Sequence, residues 1–161
     1  MPVAPWAREG STGHRSRSRL VGISLCALIV VAGAVLVSGA ALADKYSSDA
    51  EGIVQTEPRA AIEKAEDSLA LNDEALRTYY VRAAAYARVN DYVRARATLL
   101  AATRREPHDF VPWGLLGDLA VRRRDFAQAR RDYAQAARLN PRDANLANVA
   151  RDPRIALAPP R

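Results

Sequence analysis

The chain has 161 residues, a formal net charge of +6 and a hydrophobic fraction of 49%. That length holds about one domain with extensions, and a single cysteine, Cys26, excludes an internal disulfide framework. The two histidines, His14 and His108, lie far apart and there is no glycine-rich phosphate loop. The sequence therefore offers no metal cluster, catalytic triad or nucleotide cradle, and reads as a non-enzyme without a cofactor.

Residues 1–19 are rich in Ser and Arg and broken by Pro2, Pro5 and Gly10. They cannot bury enough apolar surface to fold alone and read as a basic cytoplasmic leader. Leu20–Ala43 follows with no charge in its 24 residues. At about 1.5 Å per residue this run covers a hydrocarbon core of roughly 30 Å. A soluble helix would show a polar face, and here only Ser24 and Ser38 interrupt the apolar sequence. The run reads as a transmembrane signal-anchor. Ala41-Leu42-Ala43 has the form of a signal-peptidase site, so removal before Asp44 is the alternative. The apolar run is longer than the about 7–15 residues of a signal peptide, which favours the anchor. Arg15, Arg17 and Arg19 on one side and Asp44, Asp49 and Glu51 on the other orient the leader inward and the rest of the chain outside the cytoplasm.

Residues 44–57, with Ser47, Ser48 and Gly52, read as an acidic linker. A helical pattern starts at Pro58, a residue tolerated in a first turn. Apolar spacing predicts helices over roughly 59–71, 74–89, 92–105, 110–123 and 126–139, with a short capping helix in 144–152. Asp73, Asp91, Asp109, Asp125 and Asp143 stand near the helix starts, where a carboxylate can accept from free first-turn N–H groups. Residues 153–161, with Pro153, Pro159 and Pro160, read as a disordered tail.

Residues 76–109 match residues 110–143 at an offset of 34. Tyr79 falls on Trp113, Ala83 on Gly117, Ala95 on Ala129, Leu99 on Tyr133, Ala102 on Ala136 and Pro107 on Pro141. This pattern resembles the tetratricopeptide repeat (TPR). The departures are Arg82, where the family has leucine, and Ala120, where it has a larger residue. Residues 58–75 resemble the second half of a degenerate repeat: Ala61 and Ala65 fall on Ala129 and Tyr133, and its first helix is missing. The resemblance implies an all-α fold, a short α-solenoid of helical hairpins behind a single N-terminal transmembrane helix, in a membrane-anchored bacterial protein. An array of about two and a half repeats is short, which points to marginal stability or self-association.

In this family the first helices of successive hairpins line a concave groove that binds other proteins. Carried across residue by residue, that groove comprises Arg77, Tyr80, Ala84 and Arg88 from one unit and Val111, Leu115, Asp118 and Arg122 from the next. Arg88 and Arg122 share one offset and suit a partner with an acidic segment. Tyr80 and Ala84 replace residues of the Lys/Asn set by which chaperone-binding members clamp a C-terminal carboxylate, so that partner class is not expected. Similar repeats also occur on envelope-polysaccharide polymerases of the O-antigen-ligase type. The resemblance thus implies a membrane-anchored interaction scaffold for an envelope or surface-polysaccharide assembly. The alternative is a secreted or surface-exposed binder of anionic polymers, using Arg104, Arg105, Arg130, Arg131 and Arg122-Arg123-Arg124. Interspersed acids allow helix-face pairs instead, such as Asp118 with Arg122. The extracytoplasmic topology argues against nucleic acid.

Overall fold

A computed structural model describes residues 40–157, which form an antiparallel train of helices. Helix α1 is described over residues 40–53. It is followed by α2 (Pro58–Leu71), α3 (Leu76–Arg88), α4 (Tyr92–Arg105), α5 (Val111–Arg122), α6 (Phe126–Leu139) and α7 (Ala144–Arg151), and the chain then makes a short 3-10 helix at Pro153–Leu157. The hairpins α1/α2, α3/α4 and α5/α6 stack in order, and α7 packs on α6.

Helix α1 corrects the expectation of a linker over 44–57 and of a missing first helix. Ala43, Ser47, Ala50 and Val54 are all buried and recur at one-turn intervals, so they form one face. Ala50 and Val54 pack with Ala61 and Ala65 of α2 and Val81 and Ala85 of α3. The stripe consists mostly of small residues, which let α1 approach its neighbours closely. A buried hydroxyl chain ties the three helices together. Ser68 Oγ donates to the Ala43 carbonyl at 2.8 Å and lies 3.2 Å from Thr78 Oγ1, which donates to Ser47 Oγ at 3.1 Å. These hydroxyls satisfy one another where water is excluded. Ala43 therefore belongs to the repeat unit, which moves the end of the apolar run expected as a span into the fold. The remainder of that run, 20–39, and the leader lie outside the described residues. Among the described residues no helix is long and apolar enough to cross a membrane.

The central cluster joins Ala83, Tyr86 and Ala87 of α3 to Ala95 and Leu99 of α4 and Leu116 and Leu119 of α5. The next hairpin packs Ala120 and Val121 against Ala129 and Tyr133, with Val149 and Ala150 of α7 closing that end. Gly117 of α5 lies directly against the Tyr133 ring of α6: a Cβ there would lie 2.5 Å from Tyr133 ring carbons. Arg82, at the family's leucine offset, lays its guanidinium 5.5 Å from the Tyr79 ring centre. The expected disordered tail begins instead with ordered structure. Pro153 is fully buried and Arg154 lies 5.2 Å from the Phe126 ring centre.

Four of the five junction aspartates accept from a helix start. Asp91 accepts from Arg94 N at 3.0 Å, Asp125 from Gln128 N at 3.0 Å, Asp143 from Asn145 N at 2.9 Å and Asp109 from Val111 N at 2.9 Å. Asp73 does not: its carboxylate pairs with Arg105 and its carbonyl accepts from the Tyr79 hydroxyl. Helices α3 and α5 both end in a Schellman turn, with Asp91 N on Tyr86 O and Asp125 N on Ala120 O. The left-handed position is Asn90 in one (φ 61°) and Arg124 in the other (φ 58°). Asparagine tolerates that conformation; in arginine the Cβ crowds the following carbonyl.

Candidate binding cleft

Helices α3 and α5, the first helices of consecutive hairpins, enclose a cleft of about 150 Å³. Of the eight groove residues read from sequence, it brings together Tyr80, Ala84, Arg88, Leu115, Asp118 and Arg122. Arg77 and Val111 are not in its lining. Arg77 pairs with Glu51 of α1, a helix the sequence reading lacked, and Val111 is half-buried at the start of α5. The reading also missed Gln55, from the α1–α2 turn, and the apolar floor of Ala83, Ala87, Leu99 and Leu119. Ala83 and Leu99 were legible as repeat positions, and all four floor residues are buried at the base of the cleft.

Tyr80 is fixed in place. Its hydroxyl donates to Asp109 Oδ2 at 2.5 Å, and Asp109 is itself held by Val111 N. Burial, together with the bond to Asp109, pushes the Tyr80 phenol well above its ordinary range, so it stays a neutral donor. Arg88 and Arg122 are exposed, and no carboxylate lies within 4.0 Å of either among the described residues. The Asp118–Arg122 helix-face pair that the spacing allows does not form. Asp118 Oδ1 instead accepts from the Tyr133 hydroxyl at 2.5 Å, because the ring packed over Gly117 carries its oxygen to that carboxylate. Two guanidiniums outside any ion pair, against the one carboxylate of Asp118, with a rigid aromatic face beside them, can hold a carboxylate next to an apolar side chain.

Of the arginines read as the other basic face, Arg105 pairs with Asp73 and Arg131 donates to Gln128 Oε1 at 2.6 Å. Arg104 and Arg130 are exposed. Among the described residues no group of three or more His, Cys, Asp or Glu is placed to hold a metal ion.

A second cleft, of about 110 Å³, lies between α4, α5 and α6 and includes Arg96, Leu116, Arg123, Gln128 and Asp132 in its lining. Asp132 is only 4% exposed. Its Oδ1 accepts from Gln128 Nε2 at 2.8 Å, while Oδ2 is buried without a partner. Burial raises the carboxyl above its ordinary range, against the opposing pull of the Gln128 bond, Arg96 and Arg131. The folded chain thus takes up this proton at higher pH than the unfolded chain. The cost of the buried charge is full above the raised value and fades as pH falls through it towards the ordinary value of 3.8. The same offset in the preceding unit holds Thr98, whose hydroxyl donates to the Arg94 carbonyl at 2.8 Å. Asp132→Thr should therefore stabilise the chain near neutrality, by about 1–3 kcal/mol for removal of an unsatisfied buried group. Its melting-temperature advantage over the parent should shrink on acidification to about pH 4. An advantage that is the same at both pH values would show that the carboxylate is not its source.

No family model matches the sequence, and no curated relative is detected. Solved structures do match. The first TPR domain of Spaghetti (RPAP3) bound to the HSP90 peptide SRMEEVD is 18% identical, with a TM-score of 0.63 over 74% of this chain and 96% of that one. The Arabidopsis OM64 TPR domain is 16% identical, with a TM-score of 0.63 over 74% of this chain and 99% of that one. The Sgt2 TPR domain from Aspergillus fumigatus is 19% identical, with a TM-score of 0.62 over 74% of this chain and 85% of that one. The chain has the fold of TPR domains.

Proposed function

We propose that this chain is a non-enzymatic, membrane-anchored scaffold that docks a protein partner in the α3/α5 cleft. The observation that carries the reading is the pair Arg88 and Arg122, which share one repeat offset, line the cleft and make no ion pair within 4.0 Å among the described residues, although Asp118 lines the same cleft. Charges left unpaired beside a rigid Tyr80 and an apolar floor suit an acidic segment of a partner. TPR domains of the same fold supply a precedent, since one of the similar structures holds an HSP90 peptide. The partner here belongs to a different class, because Tyr80 and Ala84 stand where the chaperone clamp needs Lys or Asn.

The uncharged stretch 20–39, ahead of the described part of helix α1, with its basic leader supports an anchored chain whose repeats face outside the cytoplasm. In that setting the partner is a component of an envelope or surface-polymer assembly, and self-association would multiply the docking sites. Reporters active on only one side of a membrane, fused after Arg161, test the placement. Activity of the extracytoplasmic reporter is expected, and activity of the cytoplasmic one alone would contradict it. Sequencing the mature N-terminus distinguishes an intact anchor from a chain that starts at Asp44.

A further inference from the structure

We infer that the docking surface continues from the cleft around the α5–α6 turn, and that it fits an acidic polypeptide in which carboxylates alternate with apolar side chains. The inference rests on the cleft reading above and adds a second contact region to it.

Arg122, Arg123 and Arg124 are all exposed, and no carboxylate comes within 4.0 Å of them among the described residues. The acids nearby are already engaged. Asp118 accepts from Tyr133, Asp91 is held by Arg94 through backbone and side chain, Asp125 caps α6, and Asp132 is buried. The positive charge of this turn is therefore open to a partner.

The guanidiniums fan around the turn and do not form a row. Arg122 lines the α3/α5 cleft beside Leu115 and Leu119. Arg123 lines the second cleft with Leu116, Asp125 and Asp132, and also a shallow hollow between the α3–α4 and α5–α6 turns, with Val89, Asp91 and Val93. Val93 is 78% exposed. Leu116, Leu119 and Ala120 are buried, so the apolar surface beside these two arginines is the half-buried Leu115 next to Arg122 and the exposed Val93 next to Arg123. A densely charged polymer would leave that surface uncovered, whereas a chain carrying both Asp or Glu and aliphatic residues covers both features.

Arg124 adds a separate observation. It occupies the left-handed position of the turn, φ 58°, where the preceding hairpin places Asn90. The charge is held at this place against the local backbone preference, which is the kind of strain found at functional sites.

The test uses the full-length chain in detergent, with fluorescence anisotropy of a labelled peptide of alternating Glu and Leu, its Gln-for-Glu counterpart, and heparin as a sulfated polymer. The acidic peptide should bind and the Gln peptide should not. Arg123→Ala and Arg124→Asn should each weaken binding roughly three- to tenfold. Arg124→Asn should melt at or above the parent temperature because asparagine suits the turn, so its weaker binding cannot be ascribed to unfolding. If Arg88→Ala weakens binding while both turn variants match the parent, the extension is overturned and the cleft reading stands. If the acidic peptide fails to bind, both are overturned. Heparin binding with a steep salt dependence, in the absence of peptide binding, would replace the polypeptide with a polymer.

Discussion

Gly117→Leu should lower the melting temperature of the full-length chain by several degrees, the equivalent of about 1–3 kcal/mol of overpacking. Even a single added carbon meets the Tyr133 ring at 2.5 Å. The ring cannot retreat, since Tyr133 is 2% exposed and its hydroxyl is held by Asp118. The preceding hairpin solves the same contact with different volumes: Ala83 and Leu99 occupy the offsets of Gly117 and Tyr133 and share one cluster. A larger residue on one helix is matched by a smaller one on the other. Combining Gly117→Ala with Tyr133→Leu should therefore recover part of the stability that Gly117→Ala alone loses. Arg123→Ala, an exposed change, should cost less than about 0.5 kcal/mol. Equal melting of Gly117→Leu and Arg123→Ala would mean that the helix contact is assigned to the wrong residues.

Tyr80→Ala should weaken the partner complex by about 2 kcal/mol or more, roughly thirtyfold in affinity. The loss comes from a preorganised surface. Hydrogen-bonded to Asp109, the ring has little freedom left to lose on binding. Tyr80→Phe keeps the contact area and should keep most of the affinity. Replacing Arg88 and Arg122 together should act mainly on the association rate with an acidic partner and reduce its salt dependence. Arg104→Ala with Arg130→Ala removes equal charge from exposed positions outside the cleft and should change binding less. The reverse ranking, measured at one salt concentration, would move the interaction to the other basic face.

Much of this fold was legible because the α3–α6 repeats carry large aromatic and aliphatic residues at a fixed period. The Gly117 contact followed from the same register. Helix α1 was not legible, because its buried face consists of Ala43, Ser47, Ala50 and Val54. Small and hydroxylated residues give little hydrophobic periodicity, and the hydroxyl partners of this face, Thr78 for Ser47 and Ser68 for the Ala43 carbonyl, lie far away in sequence. The 3-10 segment at Pro153–Leu157 was hidden by the same logic, as its proline reads as a terminator until Pro153 is found buried.

The cleft shows a similar division. Six of the residues at the carried-over repeat offsets line the cleft, but the pairing states of their charges depended on tertiary contacts. Arg77 is neutralised by Glu51, which the sequence assigned to a linker. Arg122 is left free because Asp118 turns to a tyrosine on the next helix. Sequence spacing alone allowed both outcomes for Arg122.

The most direct test of cleft docking places a photo-crosslinking amino acid at Ala84, which is exposed on the cleft wall, and at Arg104, which is exposed outside it, in the full-length chain in its native host. A discrete crosslinked protein from position 84, lost when Tyr80→Ala is added and absent from position 104, is the result this account predicts. The same crosslinked protein from position 104, with none from position 84, would contradict it.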